Sequence, residues 1–175
     1  LGDVYKRQEY TYVIWRKKVL SIAFCDDEPI MLEELFNVVK GYIDSKKVEF
    51  TADLFESGEE FVEKGVRCRK YDIVFLDIEM KEMNGLEAAA WFRKLNEQSK
   101  VIFVSSHVEY TLDAFKVAAF RYIIKNKDTM TQAVQEALDA CLDINPEIKQ
   151  VKKYHFTELD MFLQTEDIIY IESIL

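Results

Sequence analysis

Five short apolar runs alternate with segments of helical periodicity over most of the chain, and this alternation limits the possible folds more than any other feature. The runs are Val19–Cys25, Val48–Phe55, Tyr71–Leu76, Val101–Val104 and Phe120–Ile124. Strands that alternate with helices predict parallel βαβ units with right-handed crossovers. Continuous apolar strands indicate a parallel sheet that is covered on both faces. We therefore predict an α/β fold with a doubly wound five-stranded sheet.

The remaining segments suggest four parts. A final amphipathic helix is predicted over Thr131–Leu142, and the polar stretch DINPEIKQ that follows it is typical of a linker. The predicted parts are an N-terminal extension (1–18), the α/β domain (19–143), a linker (144–151) and a short β segment (152–175). The first eight residues, LGDVYKRQ, resemble a translated linker of an assembled sequence and are excluded from the fold prediction.

Composition narrows the class of protein. The formal net charge is -9, which argues against a surface that wraps nucleic acid. The three cysteines are far apart and odd in number, so we expect free thiols in a reducing cytosol and a cytoplasmic location. No apolar run approaches the roughly 20 residues that a membrane-spanning helix needs.

Polar and charged residues stand where the predicted strands end. Asp26 and Asp27 follow the first strand, Asp77 the third, Ser105 the fourth and Lys125 the fifth. In a doubly wound sheet, ligands bind beyond the carboxyl ends of the strands, so these side chains are expected to converge. Clustered carboxylates favour a hard divalent cation such as Mg²⁺. A carboxylate can also attack phosphorus to give an aspartyl phosphate, with a metal and an ammonium group neutralising the phosphoryl oxygens.

Four motifs, FCDDEP, FLDIEMKEMNGLE, IFVSSH and FRYIIK, together resemble the receiver domain of bacterial two-component response regulators. The resemblance covers Val19 to Leu142 and implies a flavodoxin-like sheet of order 2-1-3-4-5. It also implies that a sensor histidine kinase transfers a phosphoryl group to the domain in the presence of Mg²⁺. Such a domain is a phosphoacceptor with slow self-catalysed dephosphorylation, and we do not expect it to be a turnover enzyme.

The resemblance assigns a role to each matching residue. Asp77 is the phosphoacceptor, Asp26 and Asp27 form the acidic metal-binding pair, and Asp27 is the direct ligand. Asp77 and the backbone carbonyl of Glu79 are further metal ligands. Ser105 is the switch hydroxyl, Lys125 pairs with the phosphoryl group, and Tyr122 is the switch aromatic. Two positions depart from the family pattern: Asn126 replaces the usual Pro, which makes a cis peptide less favourable and the loop less fixed, and Ser105 replaces the commoner Thr.

The last segment carries a second resemblance. Within Lys152–Leu175, the runs YHF, MFLQ and DIIYIES predict strands. The sequence of this segment, above all DIIYIES, is similar to the opening strands of a LytTR-type DNA-binding domain. It implies an incomplete β tail, and transcriptional control through a complete output domain rather than DNA binding by residues 152–175 alone. The family also implies a phosphorylation-dependent homodimer, and no membrane partner is expected.

Other interpretations remain open at this stage. The same residue types occur in aspartyl-phosphate hydrolases of the haloacid dehalogenase type, although there the nucleophile precedes the acidic pair. A receiver that no longer accepts phosphate and serves as a protein-binding scaffold is a further alternative. Tyr122 is equally well explained as a half-buried strand aromatic, and His107 as a solvated loop residue.

Overall fold

The computed structural model describes residues 10–15, 19–144, 151–156 and 171–174, with side chains described over residues 19–142. By their contacts, residues Val19–Ile144 form one compact unit, and Leu1–Lys18 together with Asn145–Leu175 form another. Each unit is described by itself below.

The larger unit is built on a parallel sheet of five strands. They are β2 (Leu20–Cys25), β3 (Phe50–Phe55), β4 (Ile73–Leu76), β5 (Lys100–Ser105) and β6 (Arg121–Ile124), in the order β3-β2-β4-β5-β6. All four pairings are parallel. Counted within this unit the order is 2-1-3-4-5, so the predicted doubly wound, flavodoxin-like sheet is confirmed.

Four α-helices connect these strands and a fifth follows the last strand, while two short 3₁₀ helices span Gly65–Lys70 and Val108–Tyr110. The α-helices are α1 (Pro29–Ser45), α2 (Gly58–Glu63), α3 (Gly85–Arg93), α4 (Thr111–Lys116) and α5 (Met130–Ile144). Local signals in the sequence explain several of the starts. Pro29 opens α1 with a preset backbone angle, and the Ser57 hydroxyl accepts a hydrogen bond from the Glu60 N–H at the start of α2.

Burial explains why the central strands are apolar throughout. Every residue of β2 and β4 is buried, since both strands lie inside the sheet and helices cover its faces. On one face, the fully buried aromatic rings of Phe55, Phe61 and Phe92 belong to a single apolar cluster. No described helix is both long and apolar enough to span a bilayer.

The smaller unit contains three described strands. The central strand is β1 (Tyr10–Trp15), and it pairs antiparallel with β7 (Val151–Phe156) and with β8 (Ile171–Ile174). The sequence analysis predicted strands at YHF and within DIIYIES but none before Val19. A third predicted tail strand, MFLQ, lies outside the described residues.

Candidate functional site

The carboxyl ends of four parallel strands place the predicted site residues at one edge of the sheet. Backbone hydrogen bonds fix this arrangement across neighbouring strands. The Asp77 N–H donates to the Cys25 carbonyl at 2.8 Å, and the Lys125 N–H donates to the Ser105 carbonyl at 2.9 Å. Strand order and register, rather than any local motif, therefore bring together residues that are far apart in the sequence.

The Lys125 ammonium group is the centre of the site. Its Nζ lies 2.8 Å from Asp26 Oδ2 and 2.8 Å from Asp77 Oδ2. The three side chains are only 7%, 3% and 5% exposed, so these contacts are shielded from water. Buried charges of this kind are stable only when they are paired and hydrogen-bonded. The expected grouping of Asp26, Asp77 and Lys125 is thus present in the structure.

Both buried carboxylates are also held by neighbouring backbone N–H groups. The Ile78 N–H donates to Asp77 Oδ1 at 2.7 Å, and the Glu28 N–H donates to Asp26 Oδ1 at 3.0 Å. Each carboxylate is therefore fixed at both oxygens. Such positioning favours a reacting group, because little reorganisation is needed before the reaction.

The pKa shifts follow from this burial and pairing. Burial raises the pKa of Asp26, and the hydrogen bonds from Lys125 and Glu28 oppose this without cancelling it. Burial alone would lower the pKa of Lys125, but the hydrogen bonds with Asp26 and Asp77 outweigh burial and raise it. Lys125 therefore stays charged at neutral pH.

The donor set fits a divalent cation. Asp26, Asp27 and Asp77 each offer a carboxylate oxygen, and these oxygens lie within 4.8 Å of one another. The three carboxylates carry more negative charge than the one ammonium group of Lys125 can neutralise, and a divalent cation would balance the excess. Hard oxygen donors are also those that Mg²⁺ prefers. Asp27 is half-buried and Glu79 is exposed, so a metal held here would still keep access to water.

The predicted switch residues lie on β5 and β6. Ser105 is completely buried, and its hydroxyl accepts a hydrogen bond from the His107 N–H at 3.4 Å. The Tyr122 ring lies 6.2 Å from the Phe103 ring, and its hydroxyl donates to the His107 carbonyl. Burial raises the pKa of the Tyr122 hydroxyl, while a hydrogen bond with Ser105 opposes that shift. Tyr122 is thus both a strand aromatic and hydrogen-bonded beside the site, and its switch role stays a prediction.

His107 has more contacts than the sequence suggested. Its Nε2 lies 2.9 Å from Glu79 Oε2, and its Nδ1 lies 2.9 Å from Glu109 Oε1. The hydrogen bond with Glu109 is the main reason why the pKa of His107 is raised. The imidazole therefore bridges the loop after β4 and the segment after β5, while its side chain stays 36% exposed to solvent.

Gly85 is a site residue that the sequence analysis missed. A Cβ atom on Gly85 would lie 1.8 Å from the Asp77 carbonyl oxygen, so only glycine fits against the backbone of the predicted acceptor. Next to it, Asn84 and Glu87 form a capping box, with the Glu87 N–H donating to Asn84 Oδ1 at 2.9 Å. The N-G dipeptide was a signal for a turn, but nothing local shows how close the two backbones are.

Asn126, which stands where the family usually has Pro, fixes its loop by hydrogen bonds. Its side-chain oxygen accepts from the Asp128 N–H at 2.9 Å, and its carbonyl accepts from the Met130 N–H at 2.8 Å. No cis peptide bond occurs in the described part of the chain. The loop after β6 therefore has an Asx turn and the start of α5 as its restraints.

An open cavity of about 440 Å³ lies beside Asp27. Its lining combines charged, apolar and aromatic side chains, namely Asp27, Ile78, Glu79, Met80, Lys81, Asn84, Leu86 and Tyr110. The cavity therefore borders the acidic edge of the sheet at Asp27.

The fold, the acidic cluster and the shared lysine define a receiver, and comparison with known proteins agrees. The family described as the response regulator receiver domain matches residues 22–135, so the chain belongs to this family. The chain is 31% identical over 109 residues to the transcriptional regulatory protein LytR of Staphylococcus aureus. It is 34% identical over 121 residues to the positive alginate biosynthesis regulatory protein of Pseudomonas aeruginosa.

Coverage limits what these relatives show. The LytR match spans 61% of this chain and 41% of the relative, and the Pseudomonas match spans 67% and 47%. The chain thus matches less than half the length of these regulators, and it does so over the receiver portion. Both relatives are LytTR-type response regulators, which confirms the predicted family.

Solved structures show the same fold. The response regulator TrrA of Thermotoga maritima, solved in complex with Mg²⁺ and beryllofluoride, has a TM-score of 0.56 at 30% identity over 70% of this chain and 99% of its own. The receiver domain of AraT from Geobacillus stearothermophilus has a TM-score of 0.63 at 23% identity, covering 76% of this chain and 100% of its own.

Proposed function

We propose that this chain is a phosphorylation-driven switch that accepts a phosphoryl group on Asp77. The observation that carries the proposal is the contact of one buried ammonium group, Lys125, with both Asp26 and Asp77. This arrangement pairs the Asp77 carboxylate with an ammonium group in a place shielded from water, and it supplies a positive charge where the phosphoryl oxygens would lie. The order of the motifs, with the acidic pair before the acceptor, disfavours a haloacid dehalogenase-type hydrolase.

The chemistry assigns each group one task. A carboxylate oxygen of Asp77 attacks phosphorus, the P–N bond of a phosphohistidine donor breaks, and its electron pair returns to the imidazole of the donor. Lys125 then pairs with a phosphoryl oxygen, and the buried Ser105 hydroxyl donates a hydrogen bond to another. Mg²⁺, held by Asp26, Asp27, Asp77 and the Glu79 carbonyl, would supply charge neutralisation for the transferred group.

The partners follow from this chemistry. We propose a sensor histidine kinase as the donor, a cytoplasmic location, slow self-dephosphorylation, and no turnover of external substrates. Regulation of transcription would come through a complete LytTR-type domain, of which residues 152–175 carry the opening pattern. Phosphorylation-dependent pairing through α5 and β6 is a further expectation, and sedimentation with and without beryllofluoride tests it.

Labelling of the acceptor tests the central proposal. The purified chain, incubated with a small acyl phosphate and Mg²⁺, is expected to gain one hydroxylamine-sensitive phosphoryl group, detected by intact mass. Asp77→Asn is expected to gain none, whereas Asp128→Asn, which alters an exposed carboxylate after β6, is expected to be labelled like the parent chain. Equal labelling of the Asp77→Asn variant would refute the assignment. Folded protein that binds no beryllofluoride would favour the scaffold alternative.

A further inference from the structure

The short helix α4 has little apolar burial to hold it in place. Ala114 is the one buried residue of its six, while Leu112 and Phe115 are 75% and 72% exposed. The helix also begins without a side-chain cap, because Tyr110 at its N-cap makes no capping hydrogen bond. Elements with few buried contacts have low local stability. Other interactions must therefore position α4 on the sheet.

Arg93, the last residue of α3, supplies such an interaction at one end. Its Nε–H donates to the Val117 carbonyl at 3.1 Å, and an Nη2–H donates to the Ala118 carbonyl at 2.7 Å. Another N–H, on Nη1, donates to the Ser99 carbonyl just before β5 at 2.7 Å. A guanidinium group offers five donors in one rigid plane, and here that plane joins the segment after α4 to the segment before β5.

The acceptors of Arg93 are special in their backbone geometry. Ala118 has a φ of 52°, a left-handed conformation that ends helices and that residues other than glycine rarely adopt. Around it, the Ala118 N–H donates to the Phe115 carbonyl and the Ala119 N–H to the Ala114 carbonyl, both at 3.1 Å. Arg93 therefore holds the strained C-terminal end of α4. Burial of the guanidinium group lowers the pKa of Arg93.

The N-terminal end of α4 is attached in a different way. There the contacts are the hydrogen bond from the Tyr122 hydroxyl to the His107 carbonyl and the exposed pairs that His107 makes with Glu79 and Glu109. Exposed ion pairs of this kind contribute little to stability, because water and salt screen them. This end also adjoins Ser105, which lies in the proposed phosphorylation site. The two ends of α4 thus differ in how firmly they are held and in their distance along the chain from the site.

We infer that Arg93 is a positioning residue that fixes the C-terminal end of α4 as a pivot, so that a change at Ser105 moves the N-terminal end alone. The change at Ser105 rests on the proposed function, whereas the restraint of the C-terminal end of α4 by Arg93 does not. A merely structural loop contact would lower global stability without changing where in α4 the response to the ligand appears.

Residue-resolved amide exchange of the ¹⁵N-labelled full chain separates these cases. Arg93→Met removes all the hydrogen-bond donors of the side chain, and Arg93→Lys keeps the charge but loses the planar guanidinium group. Lys94→Met is the matched control, because it removes a charge from the exposed neighbouring position. In Arg93→Met, the amides of residues 117–119 are expected to exchange about tenfold faster or more, as when hydrogen bonds from a charged donor are lost. The exchange rates of these amides in Arg93→Lys are expected to lie between those of the parent chain and of Arg93→Met, and the rates in Lys94→Met are expected to match those of the parent.

The ligand arm uses Mg²⁺ with beryllofluoride. In the parent chain, the change in amide exchange on ligand binding is expected at residues 107–113 and not at 117–119. In Arg93→Met this change is expected to extend through 117–119, with the affinity for beryllofluoride unchanged.

Parent-like exchange at 117–119 in both Arg93 variants would overturn the inference, as would an equal ligand response at both ends of α4 in the parent. If Arg93→Met does not fold, Arg93→Lys alone decides by the same criterion. Absence of beryllofluoride binding would count against the proposed function, while the exchange rates without ligand still test the restraint.

Discussion

Replacing Gly85 by alanine is the sharpest test of the site geometry. The added Cβ would lie 1.8 Å from the Asp77 carbonyl oxygen, 2.8 Å from the Asp77 carbonyl carbon and 3.1 Å from Ile78 Cα. All three atoms belong to the backbone, so no side-chain rotation relieves the overlap. The Gly85 N–H also donates to the Ile78 carbonyl at 2.9 Å, which holds the two segments together. The segment carrying Asp77 must therefore move by more than about 1 Å in a core packed at crystal density.

This displacement sets the expected magnitude. Overpacking a core costs roughly 1–3 kcal/mol, and a clash with backbone belongs at or above the top of that range. For a chain of this size, about 3 kcal/mol corresponds to a fall in Tm of roughly 6–12 °C. Because the acceptor itself is displaced, Mg²⁺-dependent beryllofluoride binding is expected to weaken even at temperatures where Gly85→Ala is fully folded.

Two other glycines provide matched controls in the same thermal unfolding assay. A Cβ on Gly58 would lie 2.6 Å from the Met83 carbonyl oxygen, so Gly58→Ala is expected to destabilise less than Gly85→Ala. A Cβ on Gly41, inside α1, would have nothing within 4 Å, and Gly41→Ala is expected to stabilise the chain by about 0.5–1 kcal/mol. The reasoning is refuted if Gly85→Ala unfolds within about 1 kcal/mol of the parent chain or binds beryllofluoride as tightly.

Three further predictions concern the metal, the end of α4 and His107. Mg²⁺ is expected to raise the Tm of the parent chain by mass action and to have no such effect on Asp27→Asn; a full shift in the variant would place the ion elsewhere. Ala118→Gly is expected to stabilise the chain by about 1 kcal/mol, because glycine adopts a positive φ without the steric cost. Chemical denaturation measures this change in the free energy of unfolding, and a loss of stability would contradict the left-handed conformation of residue 118. The pKa of His107 is raised in the folded chain, so its contribution to stability is fully present below the unfolded value near 6.5 and is lost as pH rises through the folded value. Glu109→Gln is expected to lower this pKa in an NMR titration, and an unchanged pKa would show that the pairing is absent in solution.

The sequence predicted the sheet and the gathering of site residues because both depend on periodicity. Apolar runs of strand length identified all five strands of the larger unit to within two residues at each end. The rule that ligands lie beyond the carboxyl ends of parallel strands then placed Asp26, Asp77, Ser105 and Lys125 together, as the structure has them. Neither step needed knowledge of side-chain contacts.

The features that were missed depend on contacts between segments far apart in the sequence. Arg93 appears in the sequence as an ordinary basic residue near a helix end, and two of its carbonyl partners, Val117 and Ala118, follow α4, more than twenty residues later. The strand β1 was missed for a similar reason, since its partners β7 and β8 lie at the other end of the chain. The run YTYVIW is rich in aromatic and β-branched residues and is itself a strand signal.

The shared position of Lys125 explains how one added group could change several contacts at once. In the structure its ammonium lies equally far from Asp26 and Asp77. On the proposed function, phosphorylation would turn the Asp77 carboxylate into an acyl phosphate with its negative charge further from the strand end, and Lys125 would follow that charge. Asp26 would then lose part of its compensation and depend more on a bound cation. Since Asp26 is buried and cannot recover that compensation from water, the phosphorylated state is expected to require Mg²⁺ more strictly than the unmodified one.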